Sequence, residues 1–502
     1  MIPKNAFVKG LALLLFFCAP FLSAQIDDTV YVIIDIRYDI NGKTRESALE
    51  RVGGFQTGLR FTGLQTLEEY VREKTQDLHN LRPLDENASS VAYSLGAAEP
   101  DGAVPVYLDV TVTDSKNLVI LPEPKYDSNY GFSLSIKARE YNFLGTLATQ
   151  KLDLVWGSDD KDRNYLGFLL DLEIPFRAFG YDWTFTSFNE FRYYLSGEPV
   201  YDTNVVGIAM ELPVSFTTVT FGLQQGIVVH EENTAKTLRY ENPADDYHNW
   251  YLFTRPYIDW EIPTPFTAGK FGNVVYTPGI YGIVNYKSGD VGDYRRGPGA
   301  GVRQDIGFGR IDWIGNYRHG VKASVCNDNE YNFFHHEWKN SVGLYGEGHL
   351  RISRFFGVSG RVTYTKWFND YYEYAGDMIR GYKDDELEAK QRLSLNLDFP
   401  FRLIRFVPSE WKGNRSYRYF DFEQHWSLFV DLIMLDSQDG EYSFTPGDII
   451  TAAGLEVITF PLAWRSFYIR ASAGWNIREA VRIGKLPNGI HREIYIGLGH
   501  YY

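Results

Sequence analysis

The sequence predicts an all-β transmembrane barrel of about 16 antiparallel strands, preceded by a small α+β domain. Three observations carry that prediction. Aromatic residues are abundant, with 36 Tyr, 34 Phe and 11 Trp in 502 residues, while Met (4) and Cys (2) are scarce. Mean hydropathy is negative, −0.28, and beyond Gln25 no run of about 18 apolar residues offers a membrane helix. From about residue 117 the hydrophobic pattern alternates with period two instead of following a helical period. Disorder is excluded by a 44% hydrophobic content that can fill a core. Collagen, coiled-coil and disulfide scaffolds fail on glycine period, heptads and cysteine count.

Residues 1–24 read as a signal peptide. Lys4 and Lys9 form its basic end, Leu11 to Phe17 its short apolar stretch, and Leu22-Ser23-Ala24 a cleavage site before Gln25. A lipoprotein reading of Cys18 is disfavoured, because Phe17 precedes it where a small residue is needed. Removing the two lysines takes the formal net charge from −14 to −16, which speaks against nucleic acid as a partner. Only Cys326 remains in the mature chain, so no intrachain disulfide is expected.

Residues 26–116 read as the α+β domain. Val30 to Tyr38 is a strand, and Asn41-Gly42 closes a turn. Thr44 to Val52 is a helix with Thr44 as its N-cap. Leu64 to Leu81 is a second helix, with Leu64, Leu67, Val71, Thr75 and Leu78 along one face. Strands at Ser90 to Leu95 and Val104 to Thr113 complete a β-α-α-β-β order, with Pro83 and Pro100 in the connections.

Residues 117–502 read as the barrel. Leu152, Leu154 and Trp156 alternate with Lys151, Asp153 and Val155. Leu393, Leu395, Leu397 and Phe399 alternate with Ser394, Asn396 and Asp398, and Ile494, Ile496 and Leu498 with Tyr495, Gly497 and Gly499. A spacing of about 24 residues per strand and connection gives about 16 strands, and direct marking 16 to 18, because 249–323 divides in two ways. Long polar connections at 230–247, 287–297 and 371–386 alternate with short ones near Pro213, Gly309 and Arg354. Outer-membrane barrels show that asymmetry. A soluble β-sandwich is the competing architecture, and it leaves the repeated polar interior face unexplained.

Several motifs resemble the BamA/TamA outer-membrane assembly-factor superfamily, in which periplasmic POTRA modules precede a 16-stranded barrel. Ile379-Arg380-Gly381-Tyr382 is similar to the family's (I/V)-R-G-(F/Y) tetrapeptide, carried by a long extracellular loop that folds into the lumen. Leu397-Asp398-Phe399-Pro400 resembles the family's acidic-aromatic-Pro strand end. Leu428-Phe429-Val430-Asp431 resembles its F-x-D-x-G strand, with Ile433 where the family has Gly. Ala453-Gly454-Leu455 through Phe460-Pro461-Leu462, Asn142-Phe143-Leu144-Gly145 and the Val110 to Asp114 strand match further segments in order. The resemblance implies one POTRA-like module at 26–116, where the family carries several.

The chemistry reads from the alternation as well. Asp398 shares a face with Ser394 and Asn396, and Asp431 with Ser427, so both carboxylates point into the lumen. A guanidinium from an in-folded loop reaches such carboxylates with two-pronged, charge-assisted bonds. Arg380 is therefore expected to pair with Asp398 or Asp431, with Gly381 giving a tight turn and Tyr382 packing on the wall. A structural ion pair without further role is the simpler reading. Ile494, Ile496, Leu498 and Tyr502 form a candidate C-terminal assembly signal.

No catalytic motif, cofactor loop or metal-ligand spacing occurs, so no enzyme, cofactor or metal is expected. Adjacent His335 and His336 point apart on a strand, and Ser158 to Asp162 reads as a solvated hairpin tip. The basic connection with Arg402, Arg405, Lys412, Arg415 and Arg418 reads as a solvated face, with lipid headgroups or the POTRA module as second uses. Trp156, Trp183 and Trp475 read as membrane-girdle residues.

The expected function is assembly, insertion or translocation of other proteins at the bacterial outer membrane. The expected partners are outer-membrane lipids, unfolded clients received by the POTRA-like domain, and accessory periplasmic proteins. A passive porin or surface adhesin on the same fold, and a secretion pore dedicated to one partner, are the alternatives.

Overall fold

The computed structural model describes residues 29–498, apart from 101, 130, 159–163, 196–200, 230–249, 287–296, 369–371, 384–386, 414, 438–439 and 464–467. The signal-peptide reading, Tyr502, Gly499, nearly all of the acidic run after Ser158 and most of the 230–247 and 287–297 connections lie outside the described residues.

The N-terminal unit is built from β1 (Val30–Asn41), α1 (Glu46–Gly53), β2 (Arg60–Thr62), α2 (Leu64–Asn80), β3 (Ser90–Leu95) and β4 (Val104–Thr113). Its sheet runs β2-β1-β4-β3, with β1 and β4 parallel at the centre and antiparallel strands on both flanks. Alternation in β4 sends Val106, Leu108, Val110 and Val112 into a fully buried core with Ile33, Leu49, Leu67 and Leu78. The three-residue β2 is too short to read from sequence. Thr44 is not the N-cap of α1. Arg45 holds that position without a side-chain bond, while the Thr44 hydroxyl donates 2.5 Å to Asp114. The carboxylate at the end of β4 outcompetes the helix terminus for it.

The barrel strands are β5 (Leu118–Asp127), β6 (Gly131–Glu140), β7 (Gln150–Ser158), β8 (Asn164–Ala178), β9 (Tyr181–Tyr194), β10 (Tyr201–Val214), β11 (Thr217–Val229) and β12 (Trp250–Thr267). They continue as β13 (Asn273–Tyr286), β14 (Pro298–Ile314), β15 (Tyr317–Asn332), β16 (Glu337–Arg351), β17 (Gly357–Trp367), β18 (Glu373–Tyr374) and β19 (Glu388–Phe406). The last four are β20 (Phe422–Ser437), β21 (Ile450–Pro461), β22 (Ile469–Asn476) and β23 (Arg492–Leu498). They close into one antiparallel ring. The two-residue β18 is a spur on β19 inside a loop, and β17 pairs directly with β19, so the ring has eighteen strands.

The expected count of about 16 is corrected by the hairpin turns. Two-residue turns at 179–180, 215–216 and 315–316 make the repeat shorter than the assumed spacing. The ambiguous stretch 249–323 holds β12, β13, β14 and the start of β15. One expected turn, near Gly309, falls inside β14 and lies instead at Gly315.

Leu152, Leu154, Trp156, Leu166, Ile280 and Leu428 stand exposed on the outer wall, while Asp153, Ser394, Asn396 and Ser427 are buried inside. A closed sheet leaves no backbone edge to lipid, and an apolar outside with a polar inside is the membrane-spanning arrangement. Among the described residues no helix is long and apolar enough to cross a membrane.

The N-terminal unit touches the barrel at two hairpin feet. At the β6–β7 connection, Asn142 donates to the Thr44 hydroxyl (2.7 Å) and Asp114 (3.1 Å), and Arg51 donates to the Thr146 carbonyl (2.7 Å). At the β14–β15 turn, Arg310 pairs with Glu73 (2.7 Å) and Asp77 (3.0 Å) of α2, and Arg82 lies 4.0 Å over the Trp313 ring. These feet are eight strands apart in the ring of eighteen. The unit therefore spans the mouth nearly from wall to wall.

Candidate functional site

The loop between β17 and β19 turns back into the lumen. Its short 3-10 turn, Gly376–Met378, leads into the tetrapeptide, whose side chains reach the inner faces of β19 to β23. Period-two alternation puts Asp398 and Asp431 on that inner face, as the sequence indicates. Arg380 meets both. Its Nη1 donates 2.7 Å to Asp398, while Nε and Nη2 grip the two oxygens of Asp431 at 2.9 and 2.7 Å. The Arg380 backbone N–H adds a fourth bond, 2.9 Å to Asp431. The guanidinium lies 3.8 Å over the Phe429 ring. Asp431 has no solvent exposure and Arg380 only 5%. Charges this dry require their partners, because no water compensates a missing one.

Gly381 holds φ +108°, and a Cβ there would come 2.9 Å from the Trp475 backbone. Its N–H donates 3.1 Å to Glu493 of β23. The Tyr382 hydroxyl accepts from Asn476, at the end of β22. Ile379 and Tyr382 pack with Ile433, Leu435, Ile450 and Ala452 in an apolar cluster. Ile433 thus fills space against the loop where the family pattern has Gly. One loop tip binds β19, β20, β22 and β23 at once.

The closure between β23 and β5 is thin. Among the described residues, ten residue pairs join β5 to β6 and seven join β22 to β23, but two join β23 to β5, Tyr495↔Asp127 and Ile496↔Tyr126. Side chains extend the contact. The Ile494 N–H donates 3.2 Å to the Ser128 hydroxyl, and the Leu498 N–H donates to the Glu123 carboxylate. Glu123 also pairs with Lys137 at 2.5 Å. A Cβ on Gly497 would come 2.9 Å from that carboxylate, so Gly497 makes room for it. The first barrel strand is therefore β5.

No protein-family model matches the sequence, and no curated protein does. By structure the chain is similar to CdiB from Acinetobacter baumannii, with a TM-score of 0.50 and 11% identity over 94% of this chain and 74% of that one. CdiB from Escherichia coli aligns at a TM-score of 0.41 with 9% identity, covering 96% and 92% of the two chains. BamA from Haemophilus ducreyi lacking POTRA domains 1-3 aligns at 0.36 with 14% identity, covering 93% and 84%. The first likeness shows the barrel fold, and the other two carry no weight beyond it.

Sequence reading missed Glu456, Arg470, Asn476 and Glu493. Glu456 approaches the Arg380 guanidinium at 3.9 Å and pairs with Arg470. Alternation marks Glu456, Arg470 and Glu493 as inward-facing, but only the fold places the three beside the loop tip. Of the C-terminal residues, Ile494, Ile496 and Leu498 alternate with the inward Glu493, Tyr495 and Gly497. His335 and His336 sit at a hairpin tip, and among the described residues no group of side chains is arranged to hold a metal.

Proposed function

We propose that this chain is a bacterial outer-membrane barrel that assembles, inserts or translocates other proteins, with residues 26–116 as a POTRA-like periplasmic receiver. The two-pair closure between β5 and β23 is the observation that carries this reading. Among the described residues, a seam held by so few backbone bonds separates at lower cost than any other strand pair in the ring. A client strand can then pair with the exposed backbone groups of either edge.

In this reading the Arg380 latch fixes the loop and, through Gly381 and Glu493, holds the last strand beside the first. The edge strand β3 offers clients a second pairing surface on the receiver. Ile494, Ile496, Leu498 and Tyr502 serve as the chain's own assembly signal. A passive porin is less well supported, because the N-terminal unit crosses the mouth and the loop fills part of the lumen. Depletion of the protein followed by a census of outer-membrane proteins tests the reading. Broad loss supports assembly, loss of one exported protein supports dedicated secretion, and altered solute permeability alone overturns it.

A further inference from the structure

The connection between β19 and β20 is the longest described one on the side of the N-terminal unit, and its composition departs from the rest of the chain. From Phe401 to Phe420 the sequence carries five basic residues against one acidic, in a protein of net charge −14. A register shift after Arg402 exposes both Leu403 (63%) and Ile404 on the outer wall. Phe406 follows, edge-on to Trp411 at 5.1 Å. Trp411 (67%) and Phe420 (65%) are among the most exposed large side chains of the molecule.

The described residues of this foot are held in place by hydrogen bonds. The short helix α3 (Pro408–Lys412) is tied down by Asp421, which accepts from the Ser409 N–H at 3.1 Å and from its hydroxyl. Val407 is buried beneath it. Arg405 and Arg418 are exposed, and the pairing of Arg405 with Glu410 at 3.2 Å leaves both side chains more than half accessible. Lys116 adds a cation 4.1 Å over the Tyr419 ring. Arg402 takes no part, since it turns inward to Glu423.

We propose that this foot binds anionic phospholipid at the periplasmic leaflet, its apolar side chains entering the interface and Arg405 and Arg418 meeting headgroup phosphates. The inference rests on the membrane-barrel reading above. Two features select lipid as the occupant. The exposed patch runs without a break into the lipid-facing residues of β19 and β20, such as Leu397 and Leu428, so whatever covers the wall covers the foot. Its charge is opposite to that of acidic headgroups, and amphipathic segments with Arg and Trp lie in that layer.

The test folds the chain into vesicles of phosphatidylcholine containing a trace of spin-labelled phosphatidylglycerol or spin-labelled phosphatidylcholine. The motionally restricted fraction of each label is then compared for wild type and for Arg405→Gln/Arg418→Gln. Heat-modifiable gel mobility reports barrel formation independently. Wild type is expected to restrict the anionic label several-fold more than the zwitterionic one, with the preference falling as salt rises. The variant is expected to form the barrel equally well and lose most of that preference. Equal preference in both proteins overturns the proposal and leaves the foot to a protein partner. A wild-type chain that forms no barrel in either vesicle overturns the membrane reading itself.

Discussion

The backbone N–H of Gly381, at the tip of the loop between β17 and β19, lies 3.1 Å from the carboxylate of Glu493, five residues before the last described position of the chain. The loop thereby touches β23, whose far side is barely paired among the described residues. Because Glu493 faces the lumen and Ile494 the bilayer, pulling the loop out removes a support from β23 without disturbing its lipid face.

Arg380→Ala is expected to be the most damaging substitution in the lumen. Removing one partner of a buried pair costs about 3–5 kcal/mol, and the dryness of Asp431 leaves little water to soften that loss. The ring itself should persist, because its backbone ladder is intact. Proteolysis of the 371–386 loop should rise sharply, and client levels should fall more than barrel levels do. Arg380→Lys should restore little, since an ammonium cannot hold two oxygens of Asp431 and one of Asp398 together. Full client assembly in Arg380→Ala would remove the latch from the mechanism.

Glu493→Ala separates the latch from the seam. The Arg380 contacts remain, so the loop should stay protease-resistant, while hydrogen exchange in β23 accelerates. Unchanged exchange in β23 would mean that the Gly381 contact bears no load.

Tyr126 and Ile496 are cross-strand partners at the seam. Tyr126→Cys/Ile496→Cys, in a Cys326→Ser background, should form a disulfide under oxidation and stop client assembly. Reduction should restore it. Assembly that proceeds equally in both states would exclude opening at this seam.

Arg310→Ala is expected to release α2 from the β14–β15 turn. It removes a cation shared by Glu73, Asp77 and Asp312, and leaves three carboxylates close together. Cross-linking between the N-terminal unit and that turn should fall several-fold, and single-channel conductance should rise. Conductance equal to wild type would show that the unit does not obstruct the mouth.

Alkali should unfold the N-terminal unit before the barrel. Burial, reinforced by nearby carboxylates, pushes the Tyr38 and Tyr70 phenols up to about 12. The folded unit holds these protons more tightly than the unfolded chain. The stability they contribute is complete below pH 10 and is lost as pH rises toward 12. Most described α-helical residues lie in α1 and α2, so α-helical circular dichroism reports this unit. Ellipticity should fall between pH 10 and 12 in wild type and at higher pH in Tyr38→Phe/Tyr70→Phe.

Alternation alone revealed the wall, because a strand buried against lumen contents on one side and lipid on the other must switch polarity at every residue. It placed Asp398 and Asp431 inward for that reason. It left the strand count between 16 and 18, since period two continues through a two-residue turn such as 215–216 without a marker. Nor did it reveal Glu456, Arg470 or Glu493 as neighbours of Arg380, because cross-barrel proximity depends on register and closure. Thr44 illustrates a local signal overridden: a good N-cap residue was claimed by Asp114, seventy positions away.

The two anchorage points of the N-terminal unit lie at unequal distances from the seam. The β6–β7 foot is beside it, and the β14–β15 foot is close to the opposite wall. A beam fixed at both ends of a near-diameter sets the distance between them. If the wall parts between β5 and β23, the first anchor travels with the parting edge while the second stays behind. The brace must then tilt, or let go at the Arg310 end or the Asn142 end. Widening of the ring and movement of the N-terminal unit are thus a single mechanical event, with the salt bridges at Arg310 as the joint under strain.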